Sequence, residues 1–111
     1  MEDLLRMELQ GHLTRVALAA ALAPLTVRLE ASGERKVLLV DARRMTGYDM
    51  AARALFVEWN SQHRKRFRKV AIITEKIAWK MVVSTMSLAS GQRMKTFVTA
   101  PEGEAWLRQA D

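Results

Sequence analysis

Apolar residues gather in four short runs along the chain, at positions 4–9, 37–41, 70–74 and 94–99. Each run leads into a longer stretch whose apolar positions recur with helical spacing. That alternation predicts the order βαβαβαβα, an α/β domain with a largely parallel sheet of four to five strands flanked by helices. Val37, Leu38, Leu39 and Val40, and again Val70, Ala71, Ile72 and Ile73, are apolar at every position. Such strands are covered on both faces.

The stretch Gly11-His12-Leu13-Thr14 reads as a turn out of the first strand, with Thr14 capping a helix that ends at Ser32-Gly33. Leu18, Leu22, Leu25 and Leu29 recur at i, i+4, i+7 and i+11, one buried stripe. Pro24 interrupts this pattern and is expected to kink or restart the helix. Ala19, Ala20, Ala23 and Val27 give the same helix a smooth second face that one sheet cannot cover. Residues 42–48 read as a loop carrying Arg43, Arg44 and Gly47, and Asp49 is placed to cap the second helix. There Ala52, Leu55, Phe56 and Trp59 face inward, while Arg53, Glu58, Ser61 and Gln62 point away. Thr74 is the expected cap of a third helix over residues 76–90, which buries Ala78, Val82, Thr85, Met86 and Ala89. Trp79, Met81 and Val83 widen its apolar arc, and Gly91 ends it. Met81, Met86 and Met94 read as gap-filling core side chains. Thr99 and Glu102 have the spacing of a capping box opening a last short helix.

At 111 residues, half of them hydrophobic and 27% charged, the chain is one soluble-type domain large enough for its own core. It has no Cys, which removes disulfides, thiolate nucleophiles and Cys-based zinc sites. The acidic start at Glu2 and Asp3 lacks the basic region of a signal peptide, and residues 16–27 are too few to span a bilayer. A cytoplasmic protein is expected. The net charge of +6 is concentrated in one run, where Arg64, Lys65, Arg66, Arg68 and Lys69 follow His63 without an acid. Cations there complement a helix end. Weak binding to nucleic acid or another anionic surface is the alternative, but Phe67 alone could stack on bases.

Candidate chemistry is sparse. Two distant histidines, His12 and His63, supply neither a nucleophile–base pair nor a metal site, and no phosphate-binding glycine motif can be written. No catalytic residue, metal or cofactor is assigned. Ligands of open parallel sheets bind beyond the carboxyl ends of the strands. His12, Thr14, Asp41, Thr74, Glu75 and Thr99 fall there, each also with a reading as a cap or turn residue. His12 is the best placed of them.

In order and spacing these segments resemble the STAS superfamily, and within it the SpoIIAA-like branch grouped with STAS and CRAL-TRIO folds. The resemblance covers nearly the whole chain. It is carried by Gly11-His12-Leu13-Thr14, Pro24, Leu38-Leu39-Val40-Asp41, Gly47-Tyr48-Asp49, His63-Arg64-Lys65, Val70-Ala71-Ile72-Ile73-Thr74 with Trp79, Met94-Lys95-Thr96-Phe97, and Glu104-Ala105-Trp106-Leu107. It implies a small non-enzymatic module acting by protein–protein contact, as a regulator or scaffold; the holding of a small apolar or lipid ligand is the alternative. The family's usual first edge strand is not supplied in full here. Phospho-regulated STAS antagonists carry a serine after an aspartate at the second helix, whereas Asp49 is followed by Met50-Ala51-Ala52, so that switch is not carried over. A homodimer is expected, through the surplus apolar surface of Ala19, Ala20, Ala23, Trp79 and Val83. The competing arrangement packs Trp79 against Trp106.

Overall fold

Four strands lie side by side in sequence order, all parallel, in the computed structural model, which describes residues 3–109. The elements are β1 (Leu4–Leu13), α1 (Arg15–Ala31), β2 (Lys36–Tyr48), α2 (Met50–Gln62), β3 (Phe67–Ile73), α3 (Trp79–Ser90), β4 (Met94–Phe97) and α4 (Ala100–Arg108). Crossovers between neighbouring parallel strands share one hand, so a sheet built in sequence order carries its crossover helices on one face. The main core follows: Leu18, Leu22, Leu25 and Leu29 of α1, Phe56 and Trp59 of α2, and Val83 and Met86 of α3 pack on Leu5, Leu38, Val40, Val70 and Ile72. α4 follows the last strand, is no crossover, and covers the other face. Trp106 and Leu107 pack there on Leu4, Val37, Leu39, Ala71 and Ile73. Alternation along each strand sends Val40 and Ile72 to one core and Leu39 and Ile73 to the other.

Local signals hold where they are local. Thr14 Oγ1 accepts from the Ala17 N–H at 3.1 Å, and Thr99 and Glu102 form a reciprocal capping box that starts α4. The α1 stripe is buried as expected, and Gly91 closes α3 in the left-handed conformation at φ 73°.

Several expectations are corrected. Residues 42–48 are strand, not loop. β2 runs on to Tyr48 because Gln10, Gly11, His12 and Leu13 of β1 pair with it beyond the end of β3. Gly11 at φ 68° and two register shifts bend this ribbon, so Gly11-His12-Leu13 belongs to β1 and not to a turn. α1 runs unbroken across Pro24, whose exposed position leaves the missing hydrogen bond to solvent. α3 begins at Trp79 with Ala78 at its cap position, while Thr74 Oγ1 takes the Lys76 N–H in the preceding turn. The buried face of α3 is rotated from the expected one: Val83, Met86 and Ser90 are buried, whereas Ala78, Thr85 and Ala89 are exposed. Met81 is exposed as well, so only Met86 and Met94 of the three methionines fill the core. Trp79 stacks edge-on against Tyr48 at 5.6 Å, and Trp106 pairs with Phe97 on the opposite side of the sheet. The two tryptophans never meet.

Candidate functional site

The ribbon of β1 and β2 beyond the end of β3 is covered on one side only by helix. Leu9, Leu13, Ala42 and Met45 project from that side of it toward α2 and α3. The first turns of α2 and α3 face them across a gap, bringing Ala52, Arg53 and Phe56 opposite Trp79, Val82 and Val83. The gap is an open crevice, with Leu18, Val40, Ile72 and Met86 deeper in it. Tyr48 and Trp79 form one rim. Lys76 holds that rim, donating from Nζ to the Met45 carbonyl at 2.8 Å and sitting 5.0 Å from the Trp79 ring centre. Apart from the hydroxyl of Tyr48 and the guanidinium of Arg53, every lining side chain is a hydrocarbon, a thioether or the Trp79 indole.

None of the six residues expected at the strand ends lines this crevice. Alternation is the reason. Val40 and Ile72 point into it, so Asp41 lies on the other face, where Arg43 clasps it through Nε–Oδ1 at 2.9 Å and Nη2–Oδ2 at 2.7 Å. That hydrogen bond holds the Asp41 carboxyl below its ordinary pKa, and Asp41 in turn raises the Arg43 guanidinium. Leu13 faces the crevice, so its neighbour His12 turns outward and its Nε2 meets Asp49 Oδ1 at 2.7 Å. Asp49 therefore occupies the cap position of α2 without capping it by its side chain. Thr14 and Thr99 are spent on caps, Thr74 is buried in the turn before α3, and Glu75 is exposed. Arg53, expected to point away, is half-buried in the crevice wall instead.

The interface candidates separate in the same way. Ala19, Ala20 and Ala23 are exposed on α1, with Val16 and Val27 beside them. Val83 is only 4% exposed and packs in the main core, and Trp79 is half-buried on Tyr48, so these two do not form a free surface.

The basic run is dispersed over separate tasks rather than gathered on one face. α2 ends at Gln62, with the His63 ring turned back on the Trp59 carbonyl, and the run enters β3 where helix carboxyl ends converge. Arg66 donates to the Leu29 carbonyl at the end of α1. Lys69 is buried and donates to the Trp106 and Gln109 carbonyls at the end of α4, at 2.8 and 2.9 Å. Arg64 lies against Gly91 at the end of α3, and Arg68 pairs with Asp3. The run does complement helix ends, but those of three other helices than the one it follows. Among the described residues no group of three or more His, Asp or Glu is placed to hold a metal, and no helix is long and apolar enough to cross a membrane.

The SpoIIAA-like family model matches residues 4–108, every element from β1 to α4. The chain belongs to the SpoIIAA-like family. The crystal structure of an uncharacterised protein from Shewanella loihica PV-4, of the DUF3478 family and with a SpoIIAA-like fold, superposes with a TM-score of 0.74. The superposition covers 92% of this chain and 82% of that one at 21% identity, a likeness of fold. No curated protein matches the chain significantly.

Proposed function

We propose that this SpoIIAA-like domain is a non-enzymatic binding module that holds a small apolar ligand in the crevice between α2, α3 and the β1–β2 ribbon. One observation carries the reading: a crevice between the helices and the sheet opens at the carboxyl ends of the strands and is walled almost wholly by apolar side chains. Clefts with such walls and few polar groups are the usual form of small-ligand sites, and water gains little by filling them. The half-buried Arg53 and Tyr48 stand at its edge with no general base beside them in the lining, and His12 is directed elsewhere. Uptake of 1-decanol, followed by calorimetric titration, tests the reading. Val82→Trp, which fills the crevice from its half-buried edge, is expected to abolish uptake with the fold retained. Absence of binding to the unaltered chain would count against the proposal.

Contact with a protein partner is a second reading, favoured by surface that the fold leaves bare. Ile77, Met81 and Leu88, spaced i, i+4 and i+11 at and along α3, are 84%, 79% and 86% exposed. On α1, Ala19, Ala20 and Ala23 remain open to a second copy, and a symmetric homodimer there is the expected form. Sedimentation at micromolar concentration decides: a dimer that dissociates on Ala20→Glu with the monomer folded supports it, and a chain monomeric at high concentration overturns it.

A further inference from the structure

The crevice described above is lined by one charged side chain, Arg53, and that group has no counter-charge. Arg53 stands on α2 one turn from its start, half-buried, and lines both the crevice and the neighbouring groove between α2 and α3. Its aliphatic stem belongs to the apolar wall, which carries the guanidinium to the edge, as long cationic side chains do on apolar surfaces. Among the described residues no hydrogen bond joins Arg53 side chain to another group and no acid lies within ion-pair reach. The acids that could have served are otherwise placed. Asp49, four residues before it, is taken by His12, and Glu58 is exposed further along α2. The other cation of the rim, Lys76, is committed to the Met45 carbonyl and the Trp79 ring.

Arg53 thus sets a guanidinium with no anion of its own at the edge of an apolar crevice, and an incoming anion would find it unpaired. We infer that the crevice takes a single-chain amphiphile with an anionic head, its hydrocarbon tail against Leu9, Phe56, Ile72 and Met86 and its carboxylate or phosphate on Arg53. A carboxylate meets the planar guanidinium through two parallel hydrogen bonds, a geometry that a neutral head cannot reproduce. The first turn of α2 adds to the attraction, because Asp49 leaves its N–H groups uncapped by a side chain.

This inference rests on the apolar-ligand reading, and paired ligands keep the two apart. Decanoate and 1-decanol share a tail and differ in charge at neutral pH. Titrated calorimetrically below micelle formation, decanoate is expected to bind the unaltered chain at least about tenfold more tightly, a difference of about 1.4 kcal/mol. Arg53→Met keeps the stem and removes the charge. It should bring the two ligands within about twofold of each other, chiefly by weakening decanoate, and Arg53→Lys should restore part of the preference. Added salt should narrow the gap. Equal binding of both ligands by the unaltered chain overturns the role of Arg53 and leaves the apolar reading standing. Binding of neither overturns both. Decanoate preference that survives in Arg53→Met overturns the assignment to this residue. Decyl phosphate, run beside decanoate, separates a phosphate head from a carboxylate.

Discussion

Asp41 and Arg43 stand two apart on β2, on the same face of the strand, and this places their side chains together. The carboxyl is held below its ordinary value chiefly by the hydrogen bond from Arg43. A carboxyl lowered in the folded state adds stability that is present above its unfolded value near 4 and is lost as pH falls through the folded one. Asp41→Asn should therefore melt slightly lower than the natural chain at about pH 7, with the difference closing as pH falls below about 4 and through the folded value. A gap in melting temperature that widens on acidification would contradict this. Gly103 makes a larger claim. A Cβ built there lies 2.7 Å from Ile73 Cδ1 and 3.4 Å from Ala71 Cβ, so α4 rests on the sheet by its backbone. Gly103→Val should cost about 2–3 kcal/mol in denaturant unfolding, the range of overpacked cores; a loss below about 0.5 kcal/mol would show that α4 lifts freely. Thr14 and Thr99 were legible in the sequence because a cap is satisfied within four residues. Gly103, Lys69 and Arg53 were not, because what surrounds each arrives from elements more than twenty residues away.

At the scale of elements, α1 is the most legible: its leucine stripe and its cap both lie within one continuous period. The length of β2 was hidden by its own chemistry. Arg43, Arg44 and Gly47 break the apolar run where β3 ends and the strand is covered on one face only, and a half-covered strand shows alternation rather than continuous apolarity. The facing of α3 is not legible in its sequence, since an arc from Trp79 to Val83 permits two facings and only the position of the sheet selects one. The basic run tests the assignment of these surroundings. Its residues look equivalent in sequence, yet Lys69 closes the end of α4 from inside the core while Lys65 is exposed. Lys69→Met should destabilise the fold by about 2 kcal/mol, through carbonyls left buried without a donor. Lys65→Ser should change stability by less than about 0.5 kcal/mol. Equal effects would show that the run is a uniform solvated face. On heparin, retention should be weak and vanish at moderate salt, since few of these cations can meet phosphates together.

For the whole molecule, sequence-order pairing puts three helices on one face and the last on the other. The carboxyl ends of the strands then open toward the ribbon that β1 and β2 extend beyond β3. The crevice is a product of that extension: shorter strands would leave α2 and α3 without an opposite wall. Alternation explains why the polar residues at the strand ends miss it, and why the site had to be found from apolar positions that sequence reading assigns to the core. The account stands or falls on whether the crevice takes a guest. Native mass spectrometry of the chain titrated with decanoate measures this most directly. The account predicts one decanoate per chain, bound at micromolar concentration and lost in Val82→Trp with the charge-state envelope of the folded protein unchanged. A mass that stays that of the bare chain at saturating decanoate, or uptake that Val82→Trp leaves intact, would contradict it.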